Sequence, residues 1–162
     1  MIATSEEIGD AIEVTSLSWH RGTGGTPTSS FTDFNIYLGY CPNETLGTNF
    51  ADNYSPGSRT LVHHSDNITV AEGTEEWFSI DLDTPFWYNG AENLILEVTW
   101  ASGAGSVNNY LFTTPMTPVN LKSAIPDGET GFLSSIRCQF MLLGMQQLEN
   151  GTFASVKVIL GN

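Results

Sequence analysis

Hydrophobic and polar residues alternate at a period of two along most of the chain, in short runs that end at Gly, Pro, Asn or Asp. The clearest run is NLILEVTW, residues 93–100, where apolar side chains fall on every second position. This period is typical of a β-strand with one buried face, whereas an amphipathic helix repeats every ~3.6 residues. Only SEEIGDA (5–11) and GMQQLENG (144–151) indicate a short helical turn. The pattern predicts an all-β chain.

About ten such runs follow one another at the spacing of roughly 8–12 residues that β-sandwiches show. Ser65-Asp66 is predicted to be a hairpin turn, and Asn89-Gly90 a second turn. Two sheets would allow each strand to bury one face and expose its Thr, Ser and Asn side chains. We predict a single domain over residues 1–162, a jelly-roll-like antiparallel β-sandwich with an additional C-terminal strand at about 152–160.

The charge of the chain excludes two classes of partner. The sequence has 18 Asp and Glu against 5 Lys and Arg, which gives a formal net charge of −13. Nucleic-acid phosphates and anionic membranes both require a basic surface. The sequence also has no run of about 18 apolar residues of the kind that spans a membrane. We expect neither nucleic-acid binding nor membrane insertion.

Two cysteines, Cys41 and Cys138, permit one intramolecular disulfide. A bridge across so long a segment would strongly restrict the unfolded chain. Cys138 also lies in an apolar alternation, where a small buried thiol fits equally well. A disulfide and two buried thiols are both compatible with the sequence.

Groups that perform catalysis are sparse in this sequence. His63 and His64 are adjacent, and neighbouring residues of a strand point to opposite faces, so the pair does not ligate one metal ion without a bend. The sequence contains no HExxH, CxxC, GxSxG or P-loop pattern. We therefore expect a protein without enzymatic activity.

Four carboxylates near one predicted strand are candidate calcium ligands. Asp81 and Asp83 share one strand face, and Glu75 and Glu76 precede the strand. Calcium prefers oxygen ligands of this kind, although the sequence lacks the ordered spacing of an EF-hand. Solvated carboxylates on an outward face are the alternative, and no cofactor is certain.

Three aromatic residues are candidates for stacking against sugar rings: Trp87, Tyr88 and Tyr54. Trp87 and Tyr88 lie in a corner bounded by Pro, Asn and Gly, and Tyr54 lies in a polar loop. Phe86 and Tyr88 have the same parity and Trp87 the opposite one, so one set should be buried and the other exposed. Packing of the corner is the alternative to glycan binding.

The stretch WFSIDLDTPFWYNG at 77–90, continued by NLILEV at 93–98, resembles a motif of large secreted bacterial surface proteins. In those unclassified β-sandwich modules the motif is W-x-x-I-x-L-D-T-P-F-x-Y-N-G-x-x-N-L-L-V-E-V. SEEIG at 5–9 is similar to the entry of the same modules, and the resemblance spans roughly residues 4–142. The resemblance implies export and a sandwich fold, and it implies no catalytic residues.

The C-terminal segment extends past the usual last strand of those modules. Its strand FASVKVIL, 153–160, ends close to the C-terminus and is a candidate for exchange with another chain through Phe153, Val156, Val158 and Leu160. An ordinary edge strand is the alternative.

These features favour an extracellular structural or adhesive module at the cell surface, with a self-assembling filament subunit as one form. Its partners would be other copies of itself or neighbouring modules of a longer surface protein. The alternative function is a non-catalytic carbohydrate-binding module that binds glycans. The first residues lack the basic and apolar regions of a signal peptide. We interpret Met1 as the start left after removal of an export signal, with a cytosolic start as the alternative.

Overall fold

The computed structural model describes residues 1–20, 28–70, 77–105, 113–122 and 132–160. Strands dominate these ranges, and helical structure is limited to one short α-helix and one 3₁₀ turn. The prediction of an all-β chain is confirmed. In chain order the elements are β1 Ile2–Ala3, α1 Ser5–Ile8, β2 Ile12–His20, β3 Ser29–Cys41, the 3₁₀ turn Ala51–Asn53, β4 Thr60–Val70, β5 Trp77–Tyr88, β6 Asn93–Thr99, β7 Ser102–Gly105, β8 Thr113–Lys122, β9 Phe132–Cys138, β10 Phe140–Gln147 and β11 Phe153–Leu160.

Two antiparallel sheets form the sandwich. Sheet A has the order β1-β6-β3-β4, and β7 joins it by pairing with the start of β3. Sheet B has the order β11-β10-β2-β5. β8 and β9 form a separate antiparallel pair. The predicted two-sheet antiparallel β-sandwich is therefore confirmed. Within the described ranges, no helix has the length and apolar character needed to cross a membrane.

The main core lies between the inner faces of the two sheets and follows from the alternation of the sequence. The main strands of sheets A and B contribute apolar residues, largely at alternate positions, to this core. Each such side chain stabilises the fold by roughly 1.5–3 kcal/mol when it is fully buried. The most deeply buried members are Val14, Leu17, Ile36, Leu38, Leu94, Leu96, Phe140 and Leu142.

A second, smaller core lies on the outer face of sheet A. Ile95 has the opposite parity to its neighbours Leu94 and Leu96, so it points away from the main core and packs with Ile2, Cys41 and Leu46. Residues 42–59, here called the strap, supply part of this cluster and cover that face of the sheet. Sheet A is therefore buried on both faces beneath the strap.

The hairpin predicted at Ser65-Asp66 is wrong. β4 runs through both residues, and Ser65 faces Phe34 in a part of the ladder with β3 that has no register shift. β3 is 13 residues long, so its backbone pairs with the whole of this segment, and pairing outweighs the local preference for a turn. The helical turn at 144–151 is also wrong, because β10 continues to Gln147, whereas the turn at Ser5–Ile8 is a short helix.

Candidate functional site

The C-terminal strand β11 completes the chain's own sheet B. It pairs with β10 over its whole length, from Phe140 opposite Leu160 to Gln147 opposite Phe153, without a register shift. Leu160 is buried, and Val156 and Val158 pack against the main core. The inward residues proposed for strand exchange therefore stabilise their own domain, since they bury apolar surface there.

The other edge of β11 carries a row of backbone groups directed away from β10. The Leu148 amide donates a hydrogen bond to the Thr152 carbonyl at 2.8 Å, which makes these two residues a hydrogen-bonded pair. Because bonded pairs alternate in an antiparallel ladder, the even-numbered residues of β11 bond to β10 and the odd-numbered ones, 153 to 159, point outwards. Among the described strands, none pairs with this edge.

Apolar side chains accompany this unpaired edge. Phe153 is 58% exposed and Ile159 is 38% exposed, and both lie on the outer face of sheet B. Ser155 and Lys157 lie between them on the same face. An edge with unpaired backbone groups and exposed apolar side chains is the structural signature of a strand that accepts another strand.

The opposite edge of sheet B, strand β5, is protected. Its register against β2 shifts between Asp81 and Phe86, and Pro85 lies inside the shifted segment. Such irregularities and a proline discourage the addition of another strand. Asp83 also connects β5 to sheet A by accepting a hydrogen bond from the His64 backbone amide at 2.8 Å. The long regular edge of sheet B is thus the one at β11.

The three predicted sugar-stacking residues do not form one platform. Trp87 is 52% exposed on the outside of sheet B, while Tyr88 is fully buried in the main core. The assignment of Tyr88 as a sugar-stacking residue is therefore wrong, because its parity directs the ring inwards. Trp87 alone presents an open aromatic face among the three.

Tyr54 belongs to the strap over sheet A and is also wrongly assigned. Its ring lies against Gly39, where an added Cβ would be only 2.6 Å from the Tyr54 ring, and its hydroxyl donates a hydrogen bond to Glu97 Oε2 at 2.7 Å. Burial, followed by the nearby Glu97 charge, raises the pKa of Tyr54, so the phenol is neutral. The ring and the hydroxyl both hold the strap in place.

Arg59 completes this cluster, which the sequence patterns did not reveal. Its guanidinium donates to both oxygens of Glu97, from Nη2 at 2.8 Å and from Nε at 3.1 Å, and lies 3.5 Å from the centroid of the Tyr37 ring. Burial alone would raise the pKa of Glu97, but the hydrogen bonds from Arg59 and Tyr54 outweigh burial and lower it. The one available signal was Glu97, a charged residue inside an apolar strand.

Of the four predicted calcium ligands, the structure describes Asp81 and Asp83, and these two do not belong to a metal site. Asp81 is exposed, and Asp83 is engaged with β4. The hydrogen bond from the His64 backbone is the largest cause of the lowered pKa of Asp83. Glu75 and Glu76 lie outside the described residues. In the part of the chain that the structure describes, no group of three or more His, Cys, Asp or Glu side chains could hold a metal ion.

Cys41 and Cys138 do not form a disulfide. Cys41 is buried in the small core under the strap, where its thiol donates a hydrogen bond to the Asn43 carbonyl at 3.2 Å. Cys138 packs against the main core instead. The two thiols are thus held against different apolar clusters, which corrects the disulfide alternative.

Comparisons with protein-family models, with curated proteins and with solved structures give no match for this chain. Its fold and surface are therefore the basis for a functional proposal. The fold defines an antiparallel β-sandwich. The surface feature that stands out is the edge of β11, with which no described strand pairs, together with the exposed Phe153 and Ile159.

Proposed function

We propose that this protein is an extracellular structural or adhesive surface module, without enzymatic activity, that associates with other copies of itself or with neighbouring modules through the β11 edge. The observation that carries the proposal is the long, regular edge of β11 flanked by exposed Phe153 and Ile159. The resemblance of residues 77–98 to secreted surface modules supports the extracellular location.

Strand addition at this edge supplies both affinity and direction. The outward backbone groups of β11 gain hydrogen bonds from an added strand, and the exposed apolar side chains gain contacts on one face. Exchange of β11 itself would instead remove Val156, Val158 and Leu160 from their own core. We therefore propose addition of a strand to the intact sheet rather than donation of β11 to another molecule.

Replacing Phe153 with serine is expected to weaken self-association about tenfold, because the exposed ring supplies apolar contact area beside the edge. Phe153 is mostly exposed, so the fold should be retained. Sedimentation velocity over a range of protein concentrations measures the change. The matched control is Leu61→Ser on β4 of sheet A, where the leucine is 45% exposed.

The two variants separate the β11 surface from general surface hydrophobicity. The proposal expects Leu61→Ser to associate like the wild type. Equal weakening by both substitutions would show that association does not depend on β11. A wild-type chain that stays monomeric at every concentration tested would overturn the proposed association altogether.

A carbohydrate-binding module is the second candidate function, and the exposed ring of Trp87 favours it. Trp87→Ala is expected to weaken glycan binding at least about tenfold while the melting temperature changes little, because a sugar would stack on the exposed ring face. A glycan array followed by calorimetry measures the binding. Trp100→Ala is the control, since Trp100 is also exposed but follows β6 in sheet A. Unchanged binding in Trp87→Ala would exclude this platform.

A further inference from the structure

We infer that the partner of the β11 edge is a second copy of the same strand, paired antiparallel about a two-fold axis at Val156. This inference rests on the proposed function and names the partner and the register of that association. A strand that pairs with itself must offer complementary side chains at symmetry-related positions. The sequence of β11, FASVKVIL, meets this requirement in one register.

The faces of the two sheets restrict the possible registers. Directly opposite residues of an antiparallel pair point to the same side of the sheet. The outer residues of β11, at the odd-numbered positions, must therefore face outer residues of the second copy. If the two-fold axis lay between two residues, outer residues of one copy would face inner residues of the other. The axis must therefore pass through a residue, and Ser155, Val156 and Lys157 are the central choices.

Side-chain chemistry selects Val156 among these three. With the axis at Val156, Phe153 faces Ile159 of the second copy, and Ser155 faces Lys157. Pairing of an aromatic with a β-branched residue is favourable in a sheet. An axis at Lys157 would place two lysine side chains directly opposite each other, which is destabilising. An axis at Ser155 would leave Ile159 opposite the turn before β11.

The backbone geometry agrees with this register. The outward-directed groups belong to the odd-numbered residues from 153 to 159, and an axis at Val156 brings these residues opposite one another in four pairs. Each such pair exchanges two hydrogen bonds, which gives about eight between the copies. The segment contains no proline, and its ladder with β10 has no register shift, so no outward amide is missing.

The charge of β11 also permits the approach of a second copy. The net charge of the chain is −13, but β11 carries one lysine and no acidic residue. The contact is isologous and therefore closes on itself as a dimer. In that dimer, sheet B of one copy continues into sheet B of the other. A filament would then need a second surface to connect dimers.

Cysteine cross-linking tests the register. Val156 faces itself at a pair without mutual hydrogen bonds, where the Cα atoms lie about 4.5 Å apart, within the range of a disulfide. Under mild oxidation, Val156→Cys is expected to form a disulfide-linked dimer. Ser155→Cys and Lys157→Cys should form no more linked dimer than the wild type, in which Cys41 and Cys138 are the available thiols. Predominant linkage of either other variant, or no linkage of Val156→Cys in an associating chain, would overturn the register.

Removal of one outward amide tests the pairing itself. Residue 155 directs its N–H away from β10, so Ser155→Pro deletes a bond to the second copy and leaves the β10 ladder intact. The dimer dissociation constant is expected to rise at least about tenfold in sedimentation equilibrium, while Ser155→Ala, which retains the amide, behaves like the wild type. Circular dichroism and a thermal melt establish that both variants fold.

The outcomes separate this inference from the proposed function. If the wild type associates and Ser155→Pro associates equally well, pairing of β11 with itself is overturned while association through another surface stands. If the wild type is monomeric throughout, the inference and the proposed association fail together. Loss of association in Ser155→Pro but not in Ser155→Ala supports the strand pairing.

Discussion

Replacing Gly144 with alanine is expected to lower the free energy of unfolding by about 3 kcal/mol, at the upper end of the usual cost of overpacking. Gly144 lies in β10 where the register against β2 shifts. A Cβ added at Gly144 would collide with the carbonyl oxygen of Glu13. The same Cβ would lie 2.9 Å from the carbonyl carbon of Glu13 and 3.1 Å from Val14 Cα. These are backbone atoms, which do not move aside by rotation of a side chain.

Urea denaturation measures this loss, and Gly47→Ala is its control. An alanine Cβ at Gly47 would meet only Asn53 Oδ1 at 3.7 Å, an ordinary contact, so its unfolding midpoint should stay close to that of the wild type. Gly144 also faces Val156 of β11, so its displacement is expected to weaken self-association as well. Equal midpoints for the two alanine variants would contradict the close approach of β10 and β2.

The parts of the fold that depend on alternation could be predicted from the sequence. The apolar positions of β6 predicted the inward row Leu94 and Leu96, because a strand places alternate side chains on opposite faces. The same parity separated buried Tyr88 from exposed Trp87, although it did not say which of the two would be outside. A two-residue period fixes the two faces of a strand, and burial of one face then follows.

Features that depend on distant contacts could not be predicted in this way. The sequence predicts that Tyr54 is a loop aromatic available to sugars. Its contact with Glu97 joins positions 43 residues apart, so no local pattern reveals it. The position of β11 at a sheet edge has a similar cause, since the order of strands depends on long-range pairing and not on local pattern. The sequence indicates a terminal strand, and the topology shows which of its edges pairs with no described strand.

The second prediction concerns Arg59→Ala, which is expected to lower the free energy of unfolding by about 1–2 kcal/mol at neutral pH. Arg59 donates two hydrogen bonds to Glu97, a carboxylate that is mostly buried beneath the strap. The partial exposure of Arg59 reduces this contribution through solvent screening, which keeps the expected loss small. Loss of the guanidinium would leave Glu97 with the hydrogen bond that it accepts from the Tyr54 hydroxyl.

The pH dependence of this loss has a definite sign. The folded-state pKa of Glu97 lies below its ordinary value of 4.5, so its ionised form contributes stability above that value, and this contribution is lost as the pH falls through the lower folded pKa. In Arg59→Ala the Tyr54 hydrogen bond still opposes the effect of burial, but the contribution of Arg59 is gone, so the folded-state pKa of Glu97 should rise. The stability difference between wild type and variant should therefore be largest near neutral pH and should shrink below about pH 4.

Urea denaturation at several pH values, with Arg59→Lys and Glu97→Gln as companions, separates the two roles of Arg59. Lysine retains the positive charge but cannot make the bidentate hydrogen bonds to Glu97. Arg59→Lys should therefore lose part of the free energy of unfolding and retain its dependence on pH. In a Glu97→Gln background, Arg59→Ala should cost less, because the ionised partner is gone. A loss that is equal at pH 3 and pH 7 would mean that Arg59 acts by stacking on Tyr37, and that ionisation of Glu97 does not hold the strap on sheet A.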